Sequence, residues 1–144
     1  ALAKNPEAYQ EIRSNPDLIP SAVNEVVRLS SPNRGFTRYV SEAVTINGYT
    51  LPKGSRALVL FASANRDEKK YANADTFDIH RAPSDHVGWG HGVHQCGGEH
   101  LARLELEVLL EALCKYVSHI EAGKPKFIVN NILQGLKELP AKIA

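Results

Sequence analysis

Four glycines, Gly90, Gly92, Gly97 and Gly98, crowd nine residues around Cys96, and a long amphipathic stretch, EHLARLELEVLLEALCKYV, follows at once. Glycine loses more backbone entropy on folding than any other residue, so a run this dense persists only where the conformation demands it. Two demands fit: left-handed backbone angles, or close approach of the main chain to something flat and bulky. A helix that starts just after Cys96 turns its first amide N–H groups and positive dipole end toward the sulfur, which favours a thiolate. A thiolate there is a metal ligand or a nucleophile.

The residues alone leave that choice open. A nucleophilic cysteine needs a histidine base, and His91, His94 and His100 are all near in sequence. A zinc site drawn from His91, His94, Cys96 and His100 matches no common finger spacing. A plain glycine-rich turn with incidental histidines fits the same residues. Cys114 differs: within LLEALCKYV it reads as a buried reduced thiol. Two cysteines are too few for a disulfide scaffold.

The surroundings are those of an ordinary globular chain. At 144 residues there is room for one domain. Hydrophobic residues are 43% and charged residues 23%, which argues against disorder. Lys plus Arg total 17 against 16 Asp plus Glu, a net charge of +1, so charge gives no case for a nucleic-acid or anionic-membrane partner. No apolar run approaches the roughly 18 residues that span a bilayer, and ALAKNPEAYQ lacks a secretory pattern. A cytoplasmic protein is expected. The sequence contains no Met and its first residues read as an interior, so residues 1–144 are expected to be a single truncated domain of a longer chain.

Local patterns predict mainly α structure with a small antiparallel sheet. Asn5 and Pro6 suit the N-cap and first position of a helix over NPEAYQEIRSN. A second helix runs from about Pro20 and stops before Ser31-Pro32, with Val23, Val26, Val27 and Ser30 on one face. Asn47-Gly48 is a hairpin signal and Pro52-Lys53-Gly54 a second turn, which predicts two or three strands. ANRDEKKYANADTFDIHRAPSDH reads as a long polar connection with one short helix, of the kind that is functional or wraps something. In the last helix Leu101, Leu104, Val108 and Leu109 share an apolar face. The tail suggests short strands around turns.

One resemblance organises these features. Trp89, Gly92, Cys96, Gly98 and Ala102 stand at the spacing of an aromatic, two residues, Gly, three residues, Cys, one residue, Gly, and Ala four further on. This resembles the cysteine-ligand loop of the cytochrome P450 haem-thiolate monooxygenases. Glu25-Val-Val-Arg28 is similar to the Glu-x-x-Arg motif of the same family. Read by itself, an i,i+3 pair is a surface salt bridge contributing little; the resemblance implies a buried network behind the haem. SPNRGFTRYV, ASANRDEKKYANADTFDIHR and ARLELEVLLEAL are similar to the soluble bacterial members in the same order, so the resemblance covers essentially all 144 residues. It implies the C-terminal, haem-proximal part of the cytochrome P450 fold.

The resemblance then assigns expectations residue by residue. Cys96 would ligate the iron of haem b. Gly90, Gly92 and Gly98 would let the loop lie flat beneath the macrocycle, with Trp89 stacked under the ring. Arg38 and His94 match positions that hold the haem propionates, where an Arg–carboxylate contact is charge-assisted. Asn33 to Phe36, with Ile132 and Leu133, would border the substrate pocket. Three departures stand out: Gly97 replaces an apolar residue, Trp89 replaces the commoner Phe, and Thr76 stands where an Arg or His completes the Glu–Arg network. The implied reaction inserts one oxygen atom from dioxygen into a small organic substrate, with electrons from a ferredoxin or flavodoxin. The NNILQGLKELP tail leans toward small aromatic acids or aryl ethers. Relatives carry a long central helix before the first of these residues, with an acid-and-alcohol pair that has no counterpart here. Two classes of function therefore follow: a monooxygenase whose activity belongs to the longer protein, or a haem-binding or structural fragment without catalysis of its own. Surfaces facing the missing portion would be apolar and prone to self-association.

Overall fold

The computed structural model describes residues 1–81 and 85–144. The expected polar connection includes residues 82–84, which lie outside that description. Helix α1 (Pro6–Ser14) starts with Pro6, whose missing N–H costs nothing in a first turn. Asn5 occupies the N-cap position, but its side chain donates to the Ala1 carbonyl at 3.0 Å instead of capping. Helix α2 (Ile19–Ser30) ends at Ser31, in the left-handed region with φ +38°, ahead of Pro32. Val23 and Val27 are buried; Ser30, expected on the same face, is exposed.

Strand β1 (Phe36–Tyr39) pairs antiparallel with β4 (Arg56–Val59), placing Arg38 opposite Ala57. Strands β2 (Val44–Ile46) and β3 (Tyr49–Leu51) form the expected hairpin, with Asn47 and Gly48 both at positive φ as a two-residue turn requires. The expected sheet of two or three strands in this middle segment is corrected: it holds four strands in two separate two-stranded ladders. Pro52 has no N–H to prolong a ladder and Gly54 turns at φ +86°, so β3 is swung away from β4. The short helix α3 (Phe61–Ala64) follows β4.

Helix α4 (Glu99–Tyr116) crosses α1 and α2. The core joins Tyr9 and Ile12 of α1, Ile19, Ala22 and Val23 of α2, Leu110 of α4, and Ile79 from the polar connection. That connection also buries Tyr71 and Ala74, so it wraps the core rather than merely bridging it. The apolar face expected of α4 is not the face it buries. Leu101, Leu104, Val108 and Leu109 are each more than half exposed, while Leu106, Leu110 and Cys114 turn inward. The helix carries two apolar stripes, and polar ties fix which one meets the core. Tyr9 Oη donates to the Leu113 and Val117 carbonyls, and the Arg103 guanidinium donates to Asn24 Oδ1. Cys114 is free and half-buried against the core, and burial pushes its thiol pKa up.

The tail forms β5 (Ile120–Ala122), β6 (Lys126–Phe127), β7 (Leu136–Glu138) and β8 (Ala141–Ile143), paired β5–β8 and β6–β7. No helix among the described residues is long and apolar enough to cross a membrane.

Candidate functional site

The Cys96 loop consists of two short 3-10 turns, Val87–Trp89 and Gly92–His94, set before α4. Gly90 at φ +79° and Gly92 at φ +63° take left-handed angles, one of the two demands that the glycine density implied. Gly98 lies at φ −94° and needs no such freedom. The loop closes on itself where the Cys96 N–H donates to the Trp89 carbonyl at 2.7 Å. Glu99 N–H donates to the Cys96 carbonyl at 3.2 Å, which joins the loop to the start of α4.

Glu99 anchors that junction. Its carboxylate accepts from Gln95 Nε2 at 2.7 Å and Arg103 Nε at 2.9 Å. Burial pushes its pKa up, but the Gln95 amide and the Arg103 guanidinium outweigh this and hold it below the ordinary value. The Arg103 guanidinium also lies 5.6 Å from the centre of the Trp89 ring.

The sequence-derived residues converge only in part. Arg38, Trp89, Gly90, His94 and Cys96 line one cavity of about 440 Å³, walled by Val26, Val27, Phe36, Phe61 and Leu106. Asn33 also lines it. Ile132 and Leu133 approach the same loop by backbone bonding, Arg34 N–H to the Ile132 carbonyl at 2.9 Å and an Asn33–Leu133 bridge. Gly92, Gly98 and Ala102 belong to the loop and the first turn of α4 rather than to the cavity wall. Two observations test whether a flat cofactor suits this wall. A Cβ at Gly97 would meet nothing within 4 Å and one at Gly98 only the Cys96 sulfur at 3.9 Å, so the chain beside the sulfur is uncrowded. The Trp89 indole N–H is buried without an acceptor among the described residues. An open, largely apolar wall with a thiol and two basic side chains fits haem with its two carboxylates. The zinc reading fails: no group of three potential metal ligands is found among the described residues.

Behind the loop sits the Glu25–Arg28 pair. Arg28 Nε donates to Glu25 Oε2 at 2.7 Å and its Nη2 to Oε1 at 2.8 Å, with both side chains 1% exposed. The pair is therefore buried, as the resemblance implied. Arg28 Nη1 also donates to the Asn65 and Ala74 carbonyls. The concern raised by Thr76 is corrected. Thr76 contributes its backbone carbonyl to Arg28 at 3.3 Å, and the second arginine is Arg81, whose Nε lies 3.3 Å from Glu25 Oε1.

Sequence reasoning missed Arg81, Asn65, Ser31 and His86. Asn65, Ser31 and His86 are buried polar residues, and His86 Nδ1 accepts from the Gly88 N–H at 3.1 Å. Burial, then nearby Arg103, lowers the His86 pKa, against a smaller opposing effect of Glu99. A buried polar cluster beside a glycine loop leaves no local spacing signal, so nothing short of the fold reveals it.

Comparison with known proteins agrees with this geometry. The family model described as Cytochrome P450 matches residues 1–143. The chain is 37% identical over 142 residues to Cytochrome P450-terp of a Pseudomonas species, covering 98% of this chain and 33% of that protein. It is 42% identical over 143 residues to Cytochrome p450 CYP199A2 of Rhodopseudomonas palustris, covering 99% and 35%. Among solved structures, P450BioI in complex with an acyl carrier protein ligated to hexadec-9Z-enoic acid superposes with a TM-score of 0.95 at 35% identity, over 99% of this chain and 38% of that one. The chain thus spans about a third of the length of the relatives it matches. On motif, fold and family match together, it belongs to the cytochrome P450 family.

Proposed function

We propose that residues 1–144 form the haem-ligand portion of a longer monooxygenase, with Cys96 as the iron ligand. The observation that carries this is the meeting of Cys96, Arg38 and His94 on one apolar-walled cavity. In this reading the Cys96 thiolate would hold the cofactor's iron, and Gly90, Gly92 and Gly98 would let the loop approach it. The Arg38 guanidinium and the His94 imidazole would bond its two carboxylates, and Trp89 would pack against its ring. Ala102 leaves room on the first turn of α4. Glu25 and Arg28 fix the wall from behind. Haem, when bound, supplies the iron at which dioxygen is activated. The side chains of this portion bind and orient it and exclude water, and oxygen insertion belongs to the longer protein.

The substrate proposed is a small organic molecule, with an aromatic acid or aryl ether favoured by the NNILQGLKELP tail. The electron donor proposed is of the ferredoxin or flavodoxin type, docking on the loop side. The exposed apolar face of α4 supports self-association of the 144 residues when they stand alone.

The test is the spectrum of the ferrous carbon monoxide complex after loading with haem. Thiolate ligation gives a red-shifted Soret band, which Cys96→Ser abolishes and Cys114→Ser retains. A histidine-type band, or failure to take up haem, overturns the assignment.

A further inference from the structure

We propose that Asn65 is the positioning residue that ties the start of the Cys96 loop to the buried Glu25–Arg28 pair. It rests on the proposed function only in that this loop carries the iron ligand. Asn65 directly follows α3 at φ −71° and ψ −6°, an ordinary right-handed conformation, so a left-handed turn is not the reason for asparagine here. The residue is 1% exposed, and all four of its polar groups are engaged. Its N–H donates to the Phe61 carbonyl at 2.9 Å, and its carbonyl accepts from Arg28 Nη1 at 2.6 Å. On the side chain, Nδ2 donates to Ser31 Oγ at 2.9 Å, and Oδ1 accepts from the Val87 N–H at 2.8 Å. Ser31 Oγ in turn donates to the Arg28 carbonyl at 2.8 Å.

These bonds form one continuous path from the end of α2 to the first residue of the ligand loop. The task needs a short side chain that both donates and accepts in a fixed plane. An ionised aspartate has no donor, leucine has neither group, and glutamine is one methylene too long for a site this buried. Val87 is the first residue of its 3-10 turn, where no partner within the turn takes up its N–H, so the Asn65 oxygen is what satisfies it. The next N–H, of Gly88, is held by His86 Nδ1. Two consecutive loop amides are therefore fixed by side chains before the chain reaches Trp89.

The test is hydrogen exchange on the 144-residue chain without haem, so failure of the haem assignment leaves the result interpretable. Asn65→Ala is expected to speed exchange at Val87, Gly88 and Cys96 by about tenfold, the size of one lost net hydrogen bond. Ile12 and Val23 in the core are expected to keep their protection. Because Asn65→Ala also risks misfolding, the second variant is Val87→Pro. It removes the Val87 N–H while leaving the Asn65 side chain in place, at a position that follows an extended His86. It is expected to loosen Gly88 and Cys96 equally, and the double variant to add little beyond either single one. Faster exchange spread evenly over core and loop, or full additivity of the two variants, overturns the proposal.

Discussion

Arg28 grips Glu25 with two parallel hydrogen bonds, 2.7 and 2.8 Å long, in a setting where neither side chain meets solvent. Charges so fully removed from water are stable only as a satisfied pair. Removing one partner leaves the other buried and uncompensated, at a cost of about 3–5 kcal/mol. Arg28→Ala is expected to show that loss in urea unfolding, and Arg28→Lys to recover little, since an ammonium cannot make the two parallel bonds. Unchanged stability in Arg28→Ala would sink this reading.

Arg81 and Thr76 separate the two ways a residue joins this network. Arg81 contributes its guanidinium at 3.3 Å, so Arg81→Ala is expected to cost about 1 kcal/mol. Thr76 contributes only its main-chain carbonyl, so Thr76→Ala is expected to stay within about 0.5 kcal/mol of the parent. Equal losses in the two variants would contradict the assignment.

His86 makes stability depend on pH in one direction. Burial keeps its folded-state pKa below the ordinary value near 6.5, so the unfolded chain takes up its proton first as pH falls. Its contribution is complete above about pH 6.5 and declines below it. His86→Asn keeps an acceptor for the Gly88 N–H but cannot become charged. Melting temperatures measured from pH 7.5 down to about 5.5 are expected to fall less steeply in this variant. An identical slope in both proteins would remove His86 from the account.

Gly88 and Gly97 lie in the same loop and are expected to differ sharply. A Cβ at Gly88 would stand 2.9 Å from both His86 Nδ1 and Val27 Cγ1, whereas one at Gly97 has open space. Gly88→Ala is expected to destabilise by about 1–3 kcal/mol, by overpacking. Gly97→Ala is expected to be nearly neutral by the same denaturation measurement.

The outward stripe of α4 offers a prediction about association. Leu104→Glu and Leu109→Glu are expected to shift the chain toward monomer in size-exclusion chromatography with light scattering, leaving helix content intact. A parent already monomeric at high concentration refutes it.

What was legible in the sequence was local. The left-handed glycines, the Asn47-Gly48 hairpin and the i,i+3 pair Glu25–Arg28 each follow from a spacing of a few residues, and each is present. Arg81 and Asn65 were not legible because they meet Glu25 and Arg28 from 56 and 37 residues away. The inward face of α4 was misjudged for a related reason. Two apolar stripes are equivalent in the sequence, and the choice between them rests on distant partners such as Tyr9 and Asn24.

Tyr9 holds a consequence for how the chain is made. Its hydroxyl bonds to carbonyls 104 and 108 residues downstream, and the Ile12 beside it is fully buried. Helix α1 emerges from the ribosome long before the end of α4, and closing so large a loop is slow. Until then α1 presents Tyr9 and Ile12 to solvent as a sticky, unclaimed surface. Biosynthesis of this region thus carries an interval of vulnerability whose length is set by translation of the hundred residues between the two ends of that bond.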